Sequence, residues 1–121
     1  MVATKIRAKF GTAFGTDHTG VGASYALLGT LSTSALALYV SSSLNDTCFL
    51  SFDGVNDHLF IGSGGGGGAN AASILETIDI GANKQDNGRL EIAKGTSVYV
   101  KQGPDGAPSA GDIYISYMYA E

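Results

Sequence analysis

The chain has 121 residues, 44% of them hydrophobic and only 15% charged, against about 25% charged in an ordinary globular domain. That apolar fraction excludes a fully disordered chain, and a single cysteine excludes both an internal disulfide framework and a four-cysteine zinc site. A net charge of −4 provides no broadly basic surface, so no nucleic-acid partner is expected.

The N-terminus, Met1-Val2-Ala3-Thr4-Lys5-Ile6-Arg7, has no apolar stretch behind its charges and does not read as a secretory signal. The chain is expected to be soluble and made without export. The first strand expected is 4–10, where Ile6, Ala8 and Phe10 alternate with Lys5, Arg7 and Lys9. Its three cations share one face, which suits a charged edge that blocks aggregation or an arm laid across an acidic partner. Residues 1–22 are therefore expected to form an edge strand or arm of one β-sandwich domain spanning 1–121.

Strands are expected next over 24–31 and 35–41, the second with Leu36, Leu38 and Val40 on one face. Both lie in the most apolar window, 23–40, which Gly29, Thr30, Ser32, Thr33 and Ser34 interrupt. A membrane helix needs about 20 predominantly apolar residues, so the window reads as strand, turn and strand, with no membrane partner. Over 47–53, Cys48, Leu50 and Phe52 fall on one side, making Cys48 a small buried hydrophobe rather than a thiolate nucleophile. Asp53-Gly54-Val55-Asn56-Asp57 then turns the chain into a strand over 58–61.

Residues 63–68 read Ser-Gly-Gly-Gly-Gly-Gly, expected to be a mobile excursion or a loop pressed against a neighbour where only glycine fits. Strands follow over 74–80, 90–93, 97–102 and 112–119. The rigid loop Gly103-Pro104-Asp105-Gly106-Ala107-Pro108 separates the last two. About eight to nine short strands with little room for helix predict an all-β, antiparallel β-sandwich of jelly-roll-like form.

Catalytic patterns are scarce. Gly62, Gly64 and Gly67 satisfy G-x-G-x-x-G trivially within the glycine run, with no βαβ unit around them. No P-loop or G-x-S-x-G elbow occurs. His18 and His58 are far apart in sequence, and Asp53, Asn56 and Asp57 offer too few oxygens for calcium while fitting turn chemistry fully. Glu76 and Asp79, three apart, fall on opposite faces of a strand and make no glycosidase pair. No catalytic, cofactor or metal site is expected, and the chain does not read as an enzyme.

Two features point to association instead. Tyr99, Tyr114, Tyr117 and Tyr119 crowd the last two strands, and tyrosine is enriched at interfaces. From Phe10 to Asn83 there is no Lys or Arg, so the cations bracket a long acidic middle. The candidate interface is Lys5, Arg7, Lys9, Tyr99, Tyr114, Tyr117 and Tyr119.

Three stretches carry a resemblance. They are Cys48-Phe49-Leu50-Ser51-Phe52-Asp53-Gly54-Val55-Asn56-Asp57-His58, Lys94-Gly95-Thr96-Ser97-Val98-Tyr99-Val100-Lys101, and Gly106-Ala107-Pro108-Ser109-Ala110-Gly111-Asp112-Ile113-Tyr114-Ile115-Ser116. In this order they resemble the hairpin, strand and ending common in small structural proteins of tailed bacteriophages. The likeness covers about 45–120 and departs at glycines 64–68, where a tighter connection is usual.

The resemblance implies a virion protein, foremost a capsid decoration (cement) protein. Such a protein is made in the host cytoplasm and sits on the capsid surface, commonly as a homotrimer. It binds the major capsid protein and clamps neighbouring subunits. The alternatives are a head-fibre, neck or tail component that attaches to the host surface, or a carbohydrate-binding module on the same sandwich.

Overall fold

The structure, a computed structural model, describes residues 8–64, 74–79 and 91–120. Lys5, Arg7, glycines 65–68 and Leu90 lie outside them. The strands are β1 (Ala8–Phe10), β2 (Phe14–Asp17), β3 (Ala26–Thr30), β4 (Ala37–Ser42), β5 (Cys48–Ser51), β6 (Leu59–Ile61), β7 (Ile74–Asp79), β8 (Ser97–Gln102) and β9 (Asp112–Ala120). One 3-10 turn, His18–Gly20, follows β2, with the Asp17 carboxylate accepting from the Thr19 backbone N–H.

Alternation assigns the faces. In β9, Ile113, Ile115 and Tyr117 are buried while Tyr114 between them is exposed. In β4, Leu38, Val40 and Ser42 are buried while Ser41 is exposed. A period of two with one face covered is what a strand on the wall of a sandwich requires.

Among the described residues every strand pairing is antiparallel and falls into two sheets. In the first, β4 lies along one edge of β9, with Val40 opposite Ile115, and β7 lies beyond β4, with Thr77 opposite Tyr39. The other edge of β9 is shared by β1, with Phe10 opposite Met118, and β2, with Phe14 opposite Ile115. The second sheet runs β3-β8-β5-β6.

Taking β1 and β2 as one interrupted first strand leaves eight strands. The first sheet then holds the first, last, third and sixth, and the second holds the second, seventh, fourth and fifth. That order is a jelly roll, two Greek keys closed face to face. Leu38, Val40, Ile113 and Ile115 from one sheet meet Leu50, Ile61, Val98 and Val100 from the other in one core. Each such fully buried side chain contributes about 1.5–3 kcal/mol relative to exposure.

Two local outcomes differ from the sequence expectation. The strand expected over 90–93 is, in its described part, one bridge: Ile92 and Ala35 exchange hydrogen bonds of 2.7 and 2.8 Å. A turn then takes over, with Thr96 N–H donating to Ala93 and Gly95 N–H to Leu31, and it lifts the chain out of register before β8. Conversely, Phe14–Asp17 forms a strand although Phe14 is its only large apolar residue, because β9 presents an open ladder edge there.

At one end of the sandwich the 43–47 and 103–111 connections are tied together. Asn45 accepts from Ser109 N–H at 3.0 Å, and Ser43 Oγ accepts from Asp112 N–H at 3.0 Å. Gly64 N–H donates to Leu44 O at this end. Among the described residues no helix is long and apolar enough to cross a membrane.

Candidate functional site

The turn between β5 and β6 is built around two short side chains. Ser51 Oγ, fully buried, donates to Asp53 Oδ1 at 2.8 Å and accepts from Gly54 N–H at 2.9 Å. Asp53 Oδ1 also accepts from the Val55 and Asn56 N–H groups, each at 2.8 Å, and Oδ2 accepts from Asn56 Nδ2 at 2.7 Å. Gly54 takes φ +74, a conformation open to glycine, and lies under the Tyr99 ring. The Asn56 and Val55 backbone donors, followed by the Asn56 and Ser51 side chains, hold the Asp53 carboxyl well below the usual carboxylate range.

His58 closes the turn. Its Nδ1 accepts from Phe52 N–H at 3.0 Å, which leaves Nε2 as the protonated nitrogen, and its ring stacks on Phe52. Both Asp53 oxygens are committed to the turn itself, so Asp53 shapes the backbone here.

Beside the turn, Asp57 joins three elements. It accepts from the Tyr25 hydroxyl and pairs with Lys101 Nζ at 3.1 Å. The same ammonium lies 4.8 Å from the Tyr25 ring centroid and 5.7 Å from that of Phe49, a cation held over two aromatic faces. The Tyr25 hydrogen bond first, and Lys101 second, lower the Asp57 carboxyl. Burial, aided by Asp57, raises the Tyr25 phenol.

The outer face of the β3-β8-β5-β6 sheet extends from this cluster. Tyr99 of β8 lies opposite Leu27 of β3 on one side and Ser51 of β5 on the other. Phe49 lies opposite Lys101 and Phe60, and its ring is 5.3 Å from that of Phe60. Leu27 and Phe60 remain 57% and 54% exposed. The face is an aromatic and aliphatic row carrying one internal ion pair.

The residues proposed from sequence do not assemble into one surface. Tyr99 belongs to the face just described. Tyr114, half exposed, stands on the outer face of the other sheet. Tyr117 is a core residue at 2% exposure, which corrects its place in the candidate interface. It shares the inward phase of Ile113 and Ile115, and its hydroxyl is within 2.6 Å of Ser32 Oγ.

Tyr119 packs against the same core beside Tyr117, and Lys9, half-buried, lies opposite Tyr119 in the ladder. Lys5 and Arg7 fall outside the described residues. Phe49, Phe60, Leu27 and Lys101 were missed. Alternation alone sets Phe49 against buried Cys48 and Leu50, and it sets Tyr99 and Lys101 against Val98 and Val100.

Other candidate groups have structural roles. Cys48 is buried, and that burial pushes its thiol up to about 12. His18 N–H donates to Gly111 O at the start of the 3-10 turn. Among the described residues, no three His, Cys, Asp or Glu side chains are grouped to hold a metal ion. No family model, curated protein or solved structure matches the chain.

The lowered carboxyls set an acid limit on stability. Asp53 and Asp57, together with Asp17, which the Thr19 hydroxyl lowers, are depressed in the folded state. Their contribution is present above the unfolded carboxylate value of about 3.9 and is lost as pH falls through the folded values. Thermal melts are expected to be flat from about pH 7 to 5 and to fall steeply below about pH 4. Asp57→Asn should make that fall shallower, and an unchanged slope would contradict its assigned role.

Proposed function

We propose that this chain is a non-enzymatic structural protein of a tailed-bacteriophage virion, decorating the outside of the capsid shell by binding the major capsid protein. The carrying observation is the outer face of the four-stranded sheet. Two of the motif stretches behind the resemblance, the 48–58 hairpin and the 94–101 strand, lie side by side there. They are stapled by the Asp57–Lys101 pair and expose Phe60 and Leu27 with the half-buried Tyr99 and Phe49. Exposed apolar rows rimmed by polar groups mark interaction surfaces, and aromatic residues are enriched in interface centres. The jelly roll is a fold that capsid and lectin domains share, so it supports this reading without singling it out.

Labelling particles from the source culture with an antibody to this chain tests the proposal. Decoration predicts label over the whole shell. Label confined to a vertex or tail would replace it with an attachment role. Particles without label, together with glycan binding that depends on calcium, would favour a carbohydrate-binding module.

A further inference from the structure

We propose that the tip of the β5–β6 turn selects the docking place on the shell: Val55 enters an apolar depression of the major capsid protein, beside a cation of that protein that faces Asp53. The inference rests on the shell-binding reading above and states what the partner surface has to offer.

Turn chemistry accounts for the neighbours of Val55 but not for Val55 itself. Asp53 and Asn56 form the hydrogen bonds and Gly54 takes the positive φ, whereas position 55 needs only a backbone N–H. A polar side chain would meet that need and leave no apolar surface in water. Val55 is nevertheless 76% exposed, ahead of Phe10, Leu27 and Phe60 among the described large apolar residues.

Single exposed apolar residues are common, and what sets Val55 apart is how firmly it is held. Its N–H donates to Asp53 Oδ1 at 2.8 Å. The next two residues are fixed as well, Asn56 by the same carboxylate and Asp57 by Tyr25 and Lys101. On the other side Gly54 packs under the Tyr99 ring, 3.4 Å from a Cβ built on it, which joins the tip to the exposed row of the four-stranded sheet. A β-branched side chain adds little freedom of its own at χ1. The knob is therefore ordered before it meets a partner, and docking loses little entropy there.

The charge beside the knob states the rest of the partner's chemistry. Asp57 is matched by Lys101 at 3.1 Å. Asp53, 43% exposed, faces the His58 Nε2 at 3.9 Å. The Nδ1 of that ring accepts the Phe52 N–H and so carries no proton, and a neutral imidazole leaves the carboxylate unmatched by it. The backbone donors of Asn56 and Val55 keep Asp53 ionised at neutral pH. A surface that covers Val55 also comes over this carboxylate, and a desolvated charge without a counter-charge is costly. A second copy meeting tip to tip would bring two such carboxylates together, so the occupant is a different surface, one that carries a cation.

Fluorescent chain added back to particles of the source culture that have been stripped of it in urea tests the proposal. The wild-type chain should bind. Val55→Ser should weaken binding at least about tenfold, because the apolar burial is lost. At low salt Val55→Lys should weaken it at least about tenfold more than Val55→Glu, and the gap should close as salt rises. Tyr114→Ala, on the outer face of the other sheet, should bind like the wild type. Thermal melts check the fold of each variant, and Val55→Thr, of the same shape with a hydroxyl, replaces Val55→Ser if that chain does not fold and should lose affinity severalfold. Unchanged binding by the Ser or Thr variant, or a loss for Val55→Lys no greater than for Val55→Glu, would overturn the proposal while shell binding stands. A wild-type chain that does not bind the stripped shell would overturn both.

Discussion

An Ile115→Ala chain is expected to lose about 3 kcal/mol of stability, a fall of roughly 12 °C in melting temperature. Ile115 is fully buried at the middle of β9, opposite Phe14 of β2 on one edge and Val40 of β4 on the other. Truncation removes three carbons where both neighbouring strands are fixed by their ladders, so the hole cannot close by a shift of one element. The lost transfer energy and the residual cavity therefore add. In urea the midpoint should fall at constant slope, since the area exposed on unfolding barely changes. Tyr114→Ala, one residue earlier and facing outward, should cost under about 1 kcal/mol in dilute protein. Equal costs at 114 and 115 would mean that the register of β9 is wrong.

The second large effect is expected at Gly111. This residue takes φ +98, and a Cβ built on it falls 2.2 Å from Ser43 O and 2.8 Å from Leu44 Cα. Backbone, not a flexible side chain, occupies that space, and the 43–47 connection is tied to 109–112 through Asn45 and Ser43. Gly111→Ala should cost about 3 kcal/mol, combining positive-φ strain with overpacking against a fixed strand end. Gly95 provides the comparison. It takes φ +88 with no atom within 4 Å of a built Cβ, so Gly95→Ala should cost only the strain, about 1 kcal/mol. Both replacements restrict the unfolded chain alike, so the difference between the two melts reports the packing of the 43–47 connection.

Strand positions were largely legible from period-two alternation, because each strand has one face on the core and the other on solvent. The jelly-roll form was legible from strand number and turn spacing, and the pairing order confirms it. What escaped was whatever depends on partners remote in sequence. Phe14–Asp17 has no alternating signal of its own and becomes a strand only because β9 is long enough to serve β1 and β2 in succession. Residues around Ile92 carry apolar signal yet yield one bridge, because the turn at Gly95 redirects the chain.

The tyrosines show the same division. Counting them by composition placed Tyr114, Tyr117 and Tyr119 in one interface, whereas strict alternation from Ile113 separates Tyr117 from Tyr114. The cluster of Tyr25, Phe49, Asp57 and Lys101 could not be read from spacing at all, since its members come from β5, β8 and the connections before β3 and β6. Sequence distance hides such groups, and only register brings them together.

Two of the three motif stretches, the 48–58 hairpin and the 94–101 strand, converge on the four-stranded sheet. An electron-microscopy map of the assembled particle, detailed enough to orient the two sheets, tests this account most directly. It predicts the four-stranded sheet, with Tyr99, Phe49 and Phe60, seated on the capsid shell and the five-stranded sheet turned away from it. Density for this chain only at the tail, or with the five-stranded sheet against the shell, would contradict it.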